Sequence, residues 1–339
     1  MSAQSSRRRA ARERGQSLVI VTVFMFSLLG MAALAIDAGS WYQTKRSLQA
    51  DADAAALAGA SQLPISWSAA QTAAQAEYAN NGQGSDSVTY QNTSNLTSND
   101  TVTVTTSRAN PSFFAKLFGI NSATITATSK ATVESYTKVV STGQVMPWGV
   151  MQASWTLGQQ YSLYTDNTSP NNGALSLNGK DSNGNCQGTS GANDYSNEIN
   201  GGLQVCDVSV GDTIPVKSGQ NAGPTKQGID QRITSWDPLS AIVQFTQNGQ
   251  ANILKPNSPQ LVILPVVVNA ANGSNVWPNG SGNVRVVGFA FFVLTSPGYT
   301  QGGKQVLGTF VGLQVNNTSW TTGAYNPNAN TAYTVELTG

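Results

Sequence analysis

Between Ser17 and Ile36 the chain reads SLVIVTVFMFSLLGMAALAI, without a single charge. Roughly 20 residues of α-helix rise ~30 Å, enough to cross the hydrocarbon core of a bilayer. Arg7, Arg8, Arg9, Arg12 and Arg14 stand just ahead of this stretch. They form a topology signal that holds the preceding end in the cytoplasm, so everything from Asp37 onward is expected on the far side. A basic start followed by Ala33-Leu34-Ala35 also fits the outline of a cleavable signal peptide. The length of the apolar run, and the lack of a helix breaker after Ala35, favour a retained anchor in the cytoplasmic membrane.

The 339 residues leave room for one span plus one or two globular units with their own cores. Only 10% of residues are charged and the net charge is +1, while Asn, Ser, Thr, Gln and Gly abound beyond the span. Such a surface stays soluble by neutral hydrogen bonding, as secreted and cell-surface proteins do. Outside the arginine run the basic residues are dispersed, so no nucleic-acid partner is expected. There is no histidine, which excludes Ser–His–Asp and Cys–His catalysis and histidine zinc sites. No P-loop, G-x-S-x-G, Cys-x-x-Cys or supported acid pair occurs either. The chain is therefore expected to be no enzyme and to need no cofactor. Its two cysteines, Cys186 and Cys206, both fall in the far-side part. An oxidising compartment favours joining them, and closing so short a loop is worth about 3 kcal/mol.

Along the chain, residues 1–16 read as a basic cytoplasmic tail, 17–36 as the span and 37–62 as its helical continuation. Ala38, Trp41, Lys45, Leu48, Ala52, Ala55 and Gly59 recur at three- and four-residue spacing, one face of a helix. Trp41 and Tyr42 stand where an interfacial aromatic belt is expected. Gly39 and Gly59 weaken the helix, by ~1 kcal/mol each against alanine, and Pro64 ends it. The small side chains from Ala50 to Ala60 let another backbone approach closely, that of a sheet or of a neighbouring subunit.

Residues 63–140 read as a small α/β unit. A helix is predicted over Trp67–Asn80 and strands over Ser87–Tyr90, Thr101–Ser107 and Ala123–Val133. Pro111 opens a short helix that Gly119 stops. Its Phe113, Phe114, Leu117 and Phe118 give it an apolar side, predicting a helix packed on a small antiparallel sheet.

Residues 141–339 show no helical pattern except around Pro238–Gln247. Strands are predicted at Leu261–Val268, Val284–Leu294, Gln305–Val315 and Thr331–Leu337. The nearly unbroken apolar run VRVVGFAFFVL marks Val284–Leu294 as a central strand. The fold class is thus α+β: a long membrane helix, a helix-on-sheet unit, then a β-rich, sandwich-like antiparallel domain.

Arg14-Gly15-Gln16 before the span, Asp37-Ala38-Gly39 after it and the series from Leu48 to Ala60 (LQADADAAALAGA) come in a specific order and spacing. On these residues the first sixty positions resemble the TadE/TadG-like family of Flp pilus-assembly proteins. Thr101–Ser107, Phe113–Gly119 and Ala123–Ala131 look like the strand–helix–strand that follows the anchor in such proteins. Beyond Pro147, Val210-Gly211-Asp212 and Ala222-Gly223-Pro224-Thr225 carry a looser similarity to Tad-related proteins. The resemblance implies a single-pass assembly or minor structural component of a Flp/Tad pilus or related secretion machine. Its partners would be membrane lipid and other pilus-assembly proteins, pilin subunits or a second copy. It also implies that Asp37 makes a polar contact with a partner's helix; the plainer reading is an interfacial charge that ends the apolar stretch.

The departures matter too. Some TadG-like proteins resemble von Willebrand A domains with a metal site of pattern D-x-S-x-S. Here Asp207-Val208-Ser209-Val210-Gly211 lacks the last serine, so no metal site is assigned. Gly15 could open a prepilin processing site, but its fifth follower is Ile20, not Glu. Asp181-x-Asn183-x-Asn185 lacks the glycine and glutamate of a calcium loop and reads as a solvated turn. Ala192-Asn193-Asp194-Tyr195 and the run from Gly219 to Pro224 read as turns. A second reading makes the β-rich domain a membrane-anchored adhesin or glycan-binding module.

Overall fold

The computed structural model describes the chain except residues 1–2, 83, 140–144, 167–170, 178–185, 187–190, 202–205, 220, 246–250, 279–281, 301–303, 313–320, 326–331 and 339, with backbone alone for 3–17. In chain order the elements begin with α1 (Ala3–Gln62), α2 (Trp67–Asn81), β1 (Ser87–Thr93), β2 (Thr101–Pro111) and β3 (Ser122–Val139). They continue with β4 (Trp148–Met151), β5 (Gln160–Thr165), β6 (Asn172–Ala174), α3 (Ala192–Asn200), β7 (Val208–Ser209), β8 (Thr213–Pro215), α4 (Ala222–Arg232) and α5 (Leu239–Ile242). The last are β9 (Val243–Phe245), β10 (Ala251–Ile253), β11 (Leu261–Asn269), β12 (Asn283–Thr300), β13 (Gln305–Gly312), β14 (Thr321–Ala324) and β15 (Tyr333–Leu337). Two compact units result, one holding residues 1–93, 101–131 and 337–339, the other 94–100 and 132–336. Strand β3 gives its first ten residues to one and its remainder to the other.

In the first unit α1 runs unbroken for 60 residues. Its most apolar 18-residue window has a mean hydropathy of 2.5 and no buried residue, so by length and composition it is able to cross a membrane. From Leu48 the same helix turns an alanine face inward: Leu48, Ala52, Ala55, Ala56 and Ala60 are fully buried. Ser66 caps α2 by accepting the N–H of Ala69 at 3.1 Å. The small faces of the two helices meet, Gly59 lying under Ala70, Ala74 and Val102; a Cβ there would sit 3.1 Å from all three. β1 and β2 pair antiparallel from Ser87↔Ser107 to Thr93↔Thr101, and β2 neighbours β3. Asp86 joins the layers, accepting from Tyr78 of α2 at 2.7 Å and from the Arg108 guanidinium of β2.

The short helix predicted after Pro111 is instead one turn of 3-10 helix, Ala115–Phe118. Phe113, Phe114, Leu117 and Phe118 are exposed rather than packed on the sheet. The ten residues between β2 and β3 form a hairpin tip too short to fold back over the strands.

The second unit is built on a seven-stranded sheet, β5-β13-β12-β11-β4-β6 with β8 added to β12. Both faces of β11 and β12 are covered, which is why these segments read as unbroken apolar runs. Ile263, Val267, Phe289, Phe291 and Val293 join one core, with Tyr136 of β3 and Val208 of β7. Val262, Leu264, Ala290, Phe292 and Leu294 face the other, with Tyr195 and Ile199 of α3 and Ile229 of α4. Early in β12 the even positions Val284 and Val286 face the first core, whereas later the odd positions Phe289, Phe291 and Val293 do. The parity changes at Val287, where the register slips by one residue; a bulge inserts an extra residue and flips all that follow to the other face.

Two helices were not expected from the sequence. Ala192–Tyr195, read as a turn, opens α3 (Ala192–Asn200), and Ala222–Pro224, the end of the other predicted turn, opens α4 (Ala222–Arg232). Tyr195 and Ile199, four apart, and Ile229 give them just enough apolar surface to dock on the sheet. Gly228 allows the close crossing, since a Cβ there would lie 2.6 Å from Ile199 Cβ. Parallel strands need a long, usually helical connection, and one such pair is present: Val150 of β4 opposite Val266 of β11. Just ahead of β4, Val145 also bridges Ile263 of β11 in parallel, and the other described strand pairs of this sheet are antiparallel. Cys186 and Cys206 are joined, Cα to Cα 5.8 Å, inside the first core. The calcium-like Asp181-x-Asn183-x-Asn185 lies outside the described residues.

Candidate functional site

The residues singled out on α1 divide where the helix leaves its apolar stretch. Arg7, Arg8, Arg9, Arg12 and Arg14 lie where only the backbone is described. Gly39 is open, with no atom near a Cβ built on it. Trp41 is half-buried, and its Nε1 has no hydrogen-bond partner among the described residues. Leu48, Ala52, Ala55 and Gly59 pack inside this chain, where α1 meets α2 and β2.

Asp37 is the centre of the arrangement. It is 2% exposed although it sits at the end of a lipid-length apolar helix. Its Oδ1 accepts the N–H of Phe113 at 2.8 Å; Oδ2 accepts those of Ala115 at 2.7 Å and Phe114 at 3.1 Å. These amides open the 3-10 turn and have no acceptor within it, so a carboxylate is their natural partner. Burial acts to raise the Asp37 pKa, but the three N–H groups and nearby Lys116 outweigh it, and the carboxyl titrates below its usual 3.8. The side chain is thus an ionised clasp between α1 and a loop more than seventy residues away. Its contact lies within its own chain.

Further ties run along the helix in step. Ser40 Oγ receives Asn110 Nδ2 at 3.0 Å, Lys45 donates to the Thr126 carbonyl, and Gln49 Nε2 donates to the Thr128 carbonyl at 3.1 Å. Sequence periodicity placed Lys45 on this face. It missed Ser40, Asn110 and the amides of 113–115, because their partners are remote in sequence. The available hint was Pro111-Ser112 opening a turn whose first N–H groups needed an acceptor.

The second unit has its own concave site, a cleft of about 170 Å³ lined by Tyr164, Asp166, Asn172, Lys217, Asn221 and Trp277, among others. Asp166 accepts from Tyr164 at 2.8 Å and from the Asn221 N–H at 2.7 Å. The Trp277 ring rests on paired glycines, Gly149 and Gly173; a Cβ on Gly173 would meet the indole at 2.6 Å. Asn172 is buried, and its Oδ1 has no partner among the described residues.

Nearby, Glu198 on α3 is 1% exposed, and both carboxylate oxygens lack a hydrogen-bond partner among the described residues. Burial raises its pKa from 4.5 to about 7; Lys217 opposes the rise and Asp194 adds to it. Because the folded state prefers the protonated form, its stability is fullest below 4.5 and declines as pH climbs through 7. Glu198→Gln should therefore stabilise the protein at pH 8 by on the order of 2 kcal/mol, discounted for solvent screening, and by almost nothing at pH 4. Urea unfolding of both proteins at the two pH values measures this; equal gains at both would refute the titration account. Among the described residues no group of three or more Cys, Asp or Glu is placed to hold a metal ion.

Residues 15–62 match the Tad family model, described as "Putative Flp pilus-assembly TadE/G-like". No curated protein and no solved structure matches the chain. The matched segment contains the apolar stretch, Asp37 and the whole buried face of α1, and it stops where α1 stops.

Proposed function

We propose, with the TadE/G-like segment 15–62 as premise, that the protein is a membrane-anchored structural or assembly component of a Flp/Tad pilus or a related secretion system. Its role is minor-pilin-like or pseudopilin-like, and mechanical rather than catalytic. The observation that carries this reading is the coincidence of the matched segment with α1. The same residues, 15–62, supply a lipid-length helix and the alanine face on which the first unit folds. One rigid element then anchors the chain in the cytoplasmic membrane, N-terminus inside, and carries the outer part. Its partners are other pilus-assembly proteins, pilin subunits or a second copy, met partly within the bilayer through the exposed faces of residues 18–36. The test is copurification with pilus components from detergent-solubilised membranes of a piliated strain. Absence of those components, with piliation intact after deletion of the gene, would refute it.

A second reading, a glycan-binding module on a Tad-type anchor, is favoured by the cleft beside Trp277. An indole face, a carboxylate and side-chain amides are what a sugar ring's C–H face and hydroxyls engage. A glycan array probed with the detergent-solubilised chain should then show binding that Trp277→Ala removes. An empty array discards this reading.

A further inference from the structure

We propose that the hairpin tip between β2 and β3, residues 113–120, is a second membrane contact. In this proposal Phe113, Leu117 and Phe118 enter the lipid of the leaflet through which α1 emerges, and Lys116 reaches the headgroup phosphates. The inference rests on the anchoring reading of residues 17–36 and deepens it by assigning a lipid-binding role outside the span.

Three observations carry it. The first is position. Descending α1 towards the apolar stretch, its partners move towards the tip: Gln49 holds Thr128, Lys45 holds Thr126, Ser40 holds Asn110, and Asp37 holds 113–115. The tip therefore lies at or beyond the level of Asp37, the first charge after the uncharged stretch.

The second is surface chemistry. Leu117 is 82% and Phe118 83% exposed, with Phe113 at 65% and Phe114 and Ile120 also open. Outside α1, the other exposed large apolar residues described are scattered along the chain, whereas these five fall within eight positions. A contiguous apolar patch of this kind marks a contact surface. Its attachment to Asp37, the residue that follows the exposed apolar stretch of α1, points to lipid as the occupant. A lysine among aromatics suits the interface, since its stem lies along apolar surface while its ammonium reaches phosphate.

The third is the backbone. A segment entering hydrocarbon must satisfy its polar groups internally. Here the N–H groups of 113, 114 and 115 go to Asp37. Ser112 donates to Asn121, Leu117 to Phe114, Gly119 to Lys116 and Ile120 to Ala115, at 3.0–3.1 Å. Gly119, at φ 82°, closes the turn that makes these bonds. The N–H groups of 112–115, 117, 119 and 120 thus have acceptors in the protein rather than in water. Asp37 fits the same logic: its three donors replace water around a charge placed at a bilayer boundary.

The test uses the full chain in phospholipid vesicles containing phosphatidylglycerol. Both native cysteines are joined, so Phe118→Cys supplies one free thiol for a nitroxide. Leu29→Cys reports the span and Ser85→Cys a water-exposed turn of the same unit. Power-saturation electron paramagnetic resonance should find the ratio of oxygen to nickel-chelate accessibility at 118 several-fold above that at 85, approaching that at 29. A water-like ratio at 118 beside a lipid-like ratio at 29 overturns the proposal while leaving the anchor intact. A water-like ratio at 29 shows that the anchoring reading itself has failed. Shielding of 118 from both reagents, relieved when protein is diluted in excess lipid, assigns the tip to a neighbouring protein and also overturns it.

Discussion

Replacing Asp37 with alanine should release the hairpin tip while leaving α1 and the strand pairing in place. The amides of Phe113, Phe114 and Ala115 would lose their common acceptor, and nothing else in the turn is placed to receive them. Hydrogen exchange in detergent micelles reads this directly. Those three amides should exchange roughly tenfold faster or more, the scale for losing a bond to a charged acceptor, with amides of β1 unchanged. Asp37→Asn should fall between, because an amide keeps one acceptor oxygen and removes the charge. Acid provides an independent route. The carboxyl is held below its usual 3.8, so its contribution is present above that value and is lost as pH falls through the lower, folded-state value. Protection of the three amides that persists in the alanine variant would mean that Asp37 is a bystander.

The largest stability change is expected at the disulfide. Cys186 and Cys206 are 20 positions apart, and closing such a loop is worth about 3 kcal/mol. Both cysteines are buried among Tyr136, Val208 and Val286. The covalent tie therefore joins, in the first core, the two ends of the segment that carries α3, whose Tyr195 and Ile199 enter the other core. Reduction, or the double change Cys186→Ala with Cys206→Ala, should lower the urea midpoint of the second unit accordingly. The first unit holds neither cysteine and should melt as before. Coincident unfolding curves for oxidised and reduced protein would show that the core alone fixes that stretch.

What could be read in advance followed from periodicity and composition. The uncharged stretch, the alanine face from Leu48 to Gly59 and the unbroken run in β12 each express burial through local pattern, and local pattern is visible in one sequence. The helices α3 and α4 were hidden because Asn, Gly and Pro outnumber their few anchoring residues. Tyr195, Ile199 and Ile229 become informative only once the sheet they dock on is present. The hairpin tip was misread for a related reason. Its aromatic residues at helical spacing imply a buried face, yet ten residues between two strands cannot reach a core. The Asp37 clasp was beyond any pattern, since spacing says nothing about partners some seventy-six positions apart. Val287 illustrates a smaller version of this limit: its bulge puts Phe289, Phe291 and Val293 in the core that Val284 and Val286 face before it.

Because α1 passes from its apolar stretch into the packed unit without a break, azimuth is inherited along its axis. Adding one residue between Gln43 and Thr44 would turn residues 17–36 by about 100° and shift them by about 1.5 Å relative to the alanine face. Seven added residues would nearly restore the phase. The direction in which each side of the apolar stretch points is thus dialled by the spacing between Ile36 and Leu48, as a key's bit is set by the length of its shank.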